Sequence, residues 1–165
     1  MNERLSVGAL MDGAPYAIGE DETVLMAWEV VERCGQSHLP VVRRDGCCAG
    51  LLDRAELAVA CADPAVTLSR RRVRDLVRGR RTVTVHAEDP APRAAAVMTE
   101  ERIDALPVTD PRGRLTGLLT ARDYVAAAAG LHRRTGPAQQ APWVRATLPG
   151  LPPRRREREY GIPVP

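Results

Sequence analysis

At 165 residues, 44% of them apolar but none Phe, the chain is long enough for one compact module whose core must be built mainly of Val, Leu and Ala. It has no signal-like amino-terminal segment and no apolar run near 18 residues, which excludes a membrane span on sequence grounds and points to the cytoplasm. All 24 basic residues are Arg, and a net charge of +3 is too small to argue for nucleic-acid binding.

Taken in chain order, residues 7–11 are a short apolar segment that predicts a turn of helix at the module edge. Val24, Ala27, Trp28, Val31 and Cys34 recur at helical spacing, so residues 22–35 read as an amphipathic helix with Thr23 near its start and Gly35 at its end. The β-branched run 39–42, the Asp45-Gly46 turn and residues 47–52 read as a hairpin. Asp53 can cap a helix running to about Ala62, where Asp63-Pro64 breaks it. A second short apolar segment follows at 73–77. Thr82-Val83-Thr84-Val85 reads as a strand, and Pro90 opens a helix carrying Ala91, Ala94, Ala95 and Met98 on one side and closing at Ile103. A second hairpin spans 106–109 and 115–119 around Asp110-Pro111-Arg112-Gly113. Thr120 then stands where an N-cap belongs, before a helix ending at 126–130.

These elements repeat. Pro40 and Pro107 stand 67 positions apart, and the same offset relates Gly46 to Gly113, Gly50-Leu51-Leu52 to Gly117-Leu118-Leu119, and the turn 53–56 to the turn 120–123. A unit of strand, helix, strand, strand, helix is written twice, and two such units bury their apolar faces against each other. The chain divides into repeat 1 (5–62), a linker (63–72), repeat 2 (73–130) and a Pro/Arg-rich tail (131–165), which lacks apolar periodicity and is expected to be disordered. Ser69-Arg70-Arg71-Arg72 reads as a solvated connector. Trp143 and Tyr160 are candidate anchors of the tail on a partner.

Thr120-Ala121-Arg122-Asp123 carries the chemistry of interest. A Thr hydroxyl beside the unpaired N–H groups of a helix start suits a phosphate oxygen, and an Asp three residues on can accept from both hydroxyls of a ribose. The same pattern also fits an ordinary capping box, and the two roles are compatible. In repeat 1 the matching positions are Asp53 and Glu56. A carboxylate there repels phosphate, so that site is expected to be empty or to take an adenosyl group with a positively charged substituent. Cys34, Cys47, Cys48 and Cys61 lack zinc-ligand or redox-motif spacing and read as small hydrophobes in a reducing compartment. His38 and His86 border the expected clefts without a nucleophile at any recognisable spacing. No Ser-His-Asp, His-Glu-x-x-His or Gly-rich phosphate loop is present, and no enzymatic activity is expected.

The Leu-Pro-Val strand, the Asp-Gly or Arg-Gly turn, the Gly-Leu-Leu strand and the Thr120-x-x-Asp123 motif resemble the tandem CBS domain, named after cystathionine β-synthase, over residues 5–130. The resemblance implies an α+β fold in which two CBS repeats pack about a pseudo-two-fold axis as a Bateman module, with two clefts between them, and a disc-shaped homodimer. It implies phosphate at Thr120, ribose at Asp123, and a base-side wall at Ala105, Leu106, Pro107, Thr82 and Val83, with Arg122 in reach of a phosphate. The function it implies is a stand-alone regulator of an unknown protein partner. No cofactor is obligatory; AMP, ADP, ATP or S-adenosylmethionine is the regulatory ligand. The alternative is an adaptor for protein or nucleic acid, working through the Arg-rich tail with a vestigial cleft.

Overall fold

The computed structural model describes residues 5–62, 64–131 and the pair 143–144. Its elements are α1 (Val7–Leu10), β1 (Ala17–Gly19), α2 (Val24–Cys34), β2 (His38–Val42), β3 (Cys48–Asp53), α3 (Arg54–Ala60), α4 (Ala65–Arg70), α5 (Val73–Val77), α6 (Ala91–Glu101), β4 (Ala105–Thr109), β5 (Leu115–Thr120), α7 (Ala121–Ala128) and β6 (Trp143–Val144). The helix read over 22–35 is α2. Thr23 Oγ1 accepts from the Met26 N–H at 3.1 Å, and Gly35 ends the helix with φ 65°. At the end of α6 the left-handed residue is Arg102 (φ 55°), and the Ile103 N–H closes the turn by donating to the Met98 carbonyl at 3.0 Å.

The two hairpins are superposable in register. In β2–β3, His38 faces Asp53 and Val41 faces Gly50; in β4–β5, Ala105 faces Thr120 and Val108 faces Gly117, each residue 67 positions after its counterpart. Both hairpins shift register at the same place, after Val41 and after Val108. The hairpin turns also pair with each other. Cys48 N–H donates to the Gly113 carbonyl at 2.9 Å and Leu115 N–H to the Gly46 carbonyl at 3.1 Å, two bonds that exchange under the same offset. The pseudo-two-fold axis therefore passes between these turns, where Ala17, Val42 and Leu115 form a small buried cluster.

Each repeat has its own core. Ile18, Val24, Val31, Leu39, Leu52 and Leu57 are fully buried in the first, and Val7, Leu106, Val108 and Leu119 in the second. The leading helices are exchanged between the cores. Helix α1, at the start of repeat 1, belongs to the second core: Val7 N–H donates to Asp89 O, Gly8 N–H to Ala87 O, and Asp12 and Leu118 exchange backbone bonds at 2.9 Å. Helix α5, at the start of repeat 2, closes the first core through Val73 N–H to Glu22 O and Arg74 N–H to Glu20 O. The glycines of the Gly-Leu-Leu strands permit this. A Cβ on Gly50 would lie 2.7 Å from Val77 Cγ1, and one on Gly117 would lie 2.6 Å from Met11 Sδ and 2.9 Å from the Asp12 carbonyl.

Three readings change. The run 82–85 forms no strand; only Val85 bridges to Val108, in the position Ile18 holds against Val41. In repeat 1 the Val42 carbonyl accepts from the Glu20 backbone, whereas in repeat 2 the matching Thr109 carbonyl accepts from the His86 ring, Nδ1 at 2.7 Å. The side chain takes the ladder's next acceptor after Val85; before Val85 the partner strand offers Pro107, which has no N–H to donate, and Thr82 and Val83 line a cleft instead. Second, the linker, solvated as expected at Ser69, Arg70 and Arg72, carries structure of its own: α4 fills 65–70, and the Arg71 carbonyl accepts from Val24 N–H at 3.0 Å. Third, the tail is not wholly without structure, since Trp143–Val144 pairs in parallel with β1, giving the sheet order β3-β2-β1-β6. The expectation of disorder for the rest of the tail, and the anchor role of Tyr160, lie outside the described residues.

Candidate functional site

A cleft of about 230 Å³ opens between the repeats. The first repeat supplies His38, Gly50 and Leu51 from the hairpin and Asp53 and Glu56 from the start of α3. The segment after α5 supplies Arg80, Arg81, Thr82 and Val83, and the second repeat supplies Glu101, Ile103, Asp104, Ala105 and Pro107. One wall is thus apolar, built from Val83, Ile103, Ala105 and Pro107, and the facing end carries carboxylates. Ala105 and Pro107 reach the cleft while Leu106 between them is fully buried in the second core, as the alternation of a strand requires.

The charges of this cleft are largely satisfied within it. Asp53 Oδ1 accepts from Glu56 N–H at 2.7 Å and Glu56 Oε2 accepts from Asp53 N–H at 3.0 Å, a reciprocal cap on α3. The other oxygen of Glu56 takes the Arg80 guanidinium. Arg81 lies 4.0 Å from Glu101, and His38 Nε2 meets Asp104 Oδ1 at 2.8 Å, tying the two repeats together across the cleft mouth. Four carboxylates and two guanidiniums therefore face the space, with no cation there left over for a phosphate.

Of the residues singled out in the sequence, Thr82, Val83, Ala105 and Pro107 come together in this cleft, but with Asp53 and Glu56 rather than with Thr120 and Asp123. Thr120, Arg122 and Asp123 do not line it. At the second turn, Asp123 Oδ2 accepts from both the Thr120 N–H and the Thr120 hydroxyl at 2.7 Å. The two-fold offset carries Thr82, Val83, Ala105 and Pro107 onto Pro15, Tyr16, His38 and Pro40, which are the wall residues that symmetry assigns to the Thr120–Asp123 turn. There Gln36 holds the chain, donating to the Tyr16 and His38 carbonyls and accepting from Tyr16 N–H at 2.7 Å. The residues not singled out for the first cleft are Arg80, Arg81, Glu101, Ile103 and Asp104; the Arg80-Arg81 pair directly before Thr82 was the visible signal.

The family model for the CBS domain matches this chain twice, over residues 7–63 and 73–130. The chain belongs to the CBS domain family. Among curated CBS-containing proteins it is 30% identical over 118 residues to a homoserine O-acetyltransferase of Methanococcoides burtonii, a match covering 72% of this chain and 23% of that enzyme. The chain thus spans about a quarter of the length of that relative, and the match says nothing of the enzyme's own activity. Among solved structures, the CBS domain pair of protein MJ0100 in complex with 5′-methylthioadenosine and S-adenosyl-L-methionine has a TM-score of 0.65 at 21% identity, covering 75% of this chain and 99% of that one. CBSX2 in complex with AMP has a TM-score of 0.65 at 23% identity, covering 78% and 98%. The fold is therefore that of a CBS pair, a Bateman module of two repeats. Among the described residues no helix is long and apolar enough to cross a membrane.

Proposed function

We propose that this CBS pair is a regulatory module that takes an adenine nucleotide or adenosyl ligand between its repeats and alters a protein partner through the angle between them. The observation that carries the reading is the cleft itself: an apolar wall of Val83, Ile103, Ala105 and Pro107 for a base, opposite Asp53 and Glu56, whose carboxylate oxygens are ribose-hydroxyl acceptors. The adenosyl ligands in the two related CBS pairs support the choice of base. The second turn, Thr120 with Asp123, is the matching subsite on the other side of the two-fold, with Arg122 at its edge. A homodimer is part of the proposal. Val59 on α3 is 75% exposed and Val125 on α7 is 68% exposed, which leaves an apolar point on the second helix of each repeat for a second copy.

The test is a melting panel of adenosine, AMP, ATP, S-adenosylmethionine and NAD against the wild type, Val83→Glu and Asp123→Ala. A ligand at a hundred times its dissociation constant adds about 2.7 kcal/mol of stability. Loss of the shift in Val83→Glu assigns the ligand to the first cleft, and loss in Asp123→Ala assigns it to the second. No shift with any adenine compound rejects the reading.

A further inference from the structure

The two repeats part company at one side chain. Helices α2 and α6 both end on a left-handed residue, Gly35 (φ 65°) and Arg102 (φ 55°), and the residue directly after it is Gln36 in the first repeat and Ile103, 67 positions on, in the second. Matched backbones therefore carry a carboxamide in one place and a hydrocarbon in the other.

In the second repeat the parallel pairing of Val85 with β4 stops short. Val85 N–H donates to the Pro107 carbonyl at 3.2 Å, and the next bond of that ladder would run from the Val83 N–H to the Ala105 carbonyl. It is not made, and among the described residues neither backbone group of Val83 has a hydrogen-bond partner. Nor does the facing strand take the Ala105 carbonyl, since the Thr120 N–H opposite it goes to Asp123. One donor and two acceptors are thus left open where Val83 and Ala105 line the first cleft.

The same three groups of the first repeat, the Tyr16 N–H and the carbonyls of Tyr16 and His38, are all held by Gln36. Its Oε1 accepts from Tyr16 N–H at 2.7 Å, and its Nε2 donates to the Tyr16 carbonyl at 3.1 Å and the His38 carbonyl at 2.9 Å. One acceptor and two N–H donors meet one donor and two acceptors, so the carboxamide satisfies the set. The side chain is an inbuilt ligand. It supplies to the wall on the Thr120–Asp123 side the bonds that the first cleft leaves to a molecule from solution. A base arriving there finds that edge occupied and gains only by breaking bonds already made.

We propose that Gln36 decides which of the two clefts reads a base, closing the second from within, so that each chain takes one base and takes it in the first. This rests on the cleft reading above and chooses between its two turns. It also gives Ile103 a role, because a side chain without polar atoms leaves the Val83 and Ala105 backbone free.

Calorimetric titration of the full chain with adenosine tests it, on the wild type, on Gln36→Ile and on the reverse exchange Ile103→Gln. The expected count is one adenosine per wild-type chain and two per Gln36→Ile chain, the added site disappearing again in Gln36→Ile/Asp123→Ala. Ile103→Gln, at an exposed position, is expected to weaken adenosine binding about tenfold or more, because its carboxamide takes the edge that the base would use. Melting curves verify the fold of each variant. Two adenosines per wild-type chain, or only one per folded Gln36→Ile chain, overturns the assignment to Gln36 and leaves the cleft reading standing. Undiminished binding in Ile103→Gln overturns it too, and that variant decides alone if Gln36→Ile does not fold. Adenosine bound by neither the wild type nor Gln36→Ile overturns both readings.

Discussion

At the end of β3 the first repeat places Asp53 and Glu56, each bonded to the other's backbone; at the matching end of β5 the second repeat places Thr120 and Asp123, and there the carboxylate alone accepts from both the backbone and the hydroxyl of Thr120. The strand register leading into the two turns is the same to the residue. What differs is the charge each turn presents to its cleft, two carboxylates against one carboxylate and a hydroxyl. The turn chemistry has thus diverged while the backbone register has not. The surroundings differ in the same sense. The first cleft is lined by Arg80 and Arg81 and the four cysteines of the chain lie in the first repeat, whereas the second turn has Arg122 beside it.

The largest test of equivalence is core truncation. Leu52→Ala and Leu119→Ala remove fully buried side chains at matched positions, and each is expected to cost about 2–5 kcal/mol in urea unfolding. A difference above 2 kcal/mol between the two would show that the cores are not equal in packing. Next come the glycines. Gly50→Ala and Gly117→Ala should each lose about 1–3 kcal/mol by overpacking. Gly117 should be the worse, because its Cβ meets the Asp12 carbonyl as well as the end of Met11, while at Gly50 the obstacle is the Val77 side chain.

The caps follow. Asp53→Ala removes an acceptor of the Glu56 N–H and should cost about 1 kcal/mol. Thr120→Ala should cost less, since its hydroxyl donates to Asp123 rather than accepting from the helix. Equal losses in the two melting curves would contradict the contrast between the turns. The smallest effect is in alkali. Burial pushes the Cys34 thiol up to about 11 from its ordinary 9.0, so the folded chain keeps a proton that the unfolded chain sheds. The sign follows: stability is unaffected below pH 9 and falls as pH rises from 9 through 11. Melting temperatures across that window should decline more steeply in the wild type than in Cys34→Ala, and a steeper decline in the variant would be the wrong sign.

Most of the architecture could be read from the chain. Thr23, Gly35, Asp53 and Pro90 announce helix ends by their own chemistry, and the 67-residue offset of Pro40, Gly46 and Gly50 with their counterparts defines the two hairpins. The site was legible only in part. A repeat tells which residues are equivalent, not which copy they pack against, and so Thr82, Val83, Ala105 and Pro107 were assigned to the turn of their own repeat when they face that of the other. The run 82–85 has strong strand propensity, but propensity counts for little where the partner strand offers Pro107, which has no N–H to donate to the Val83 carbonyl.

The exchange of α1 and α5 means that the chain cannot be cut into its two halves by cutting between them. A break near Pro64 would yield an amino-terminal piece carrying the helix that the other piece needs, and a carboxy-terminal piece carrying the helix that the first piece needs. Each fragment would expose the floor left by Gly50 or Gly117 and would be expected to gain structure only on mixing. The pair would behave as a split protein, its halves reassembling like two links closed through each other.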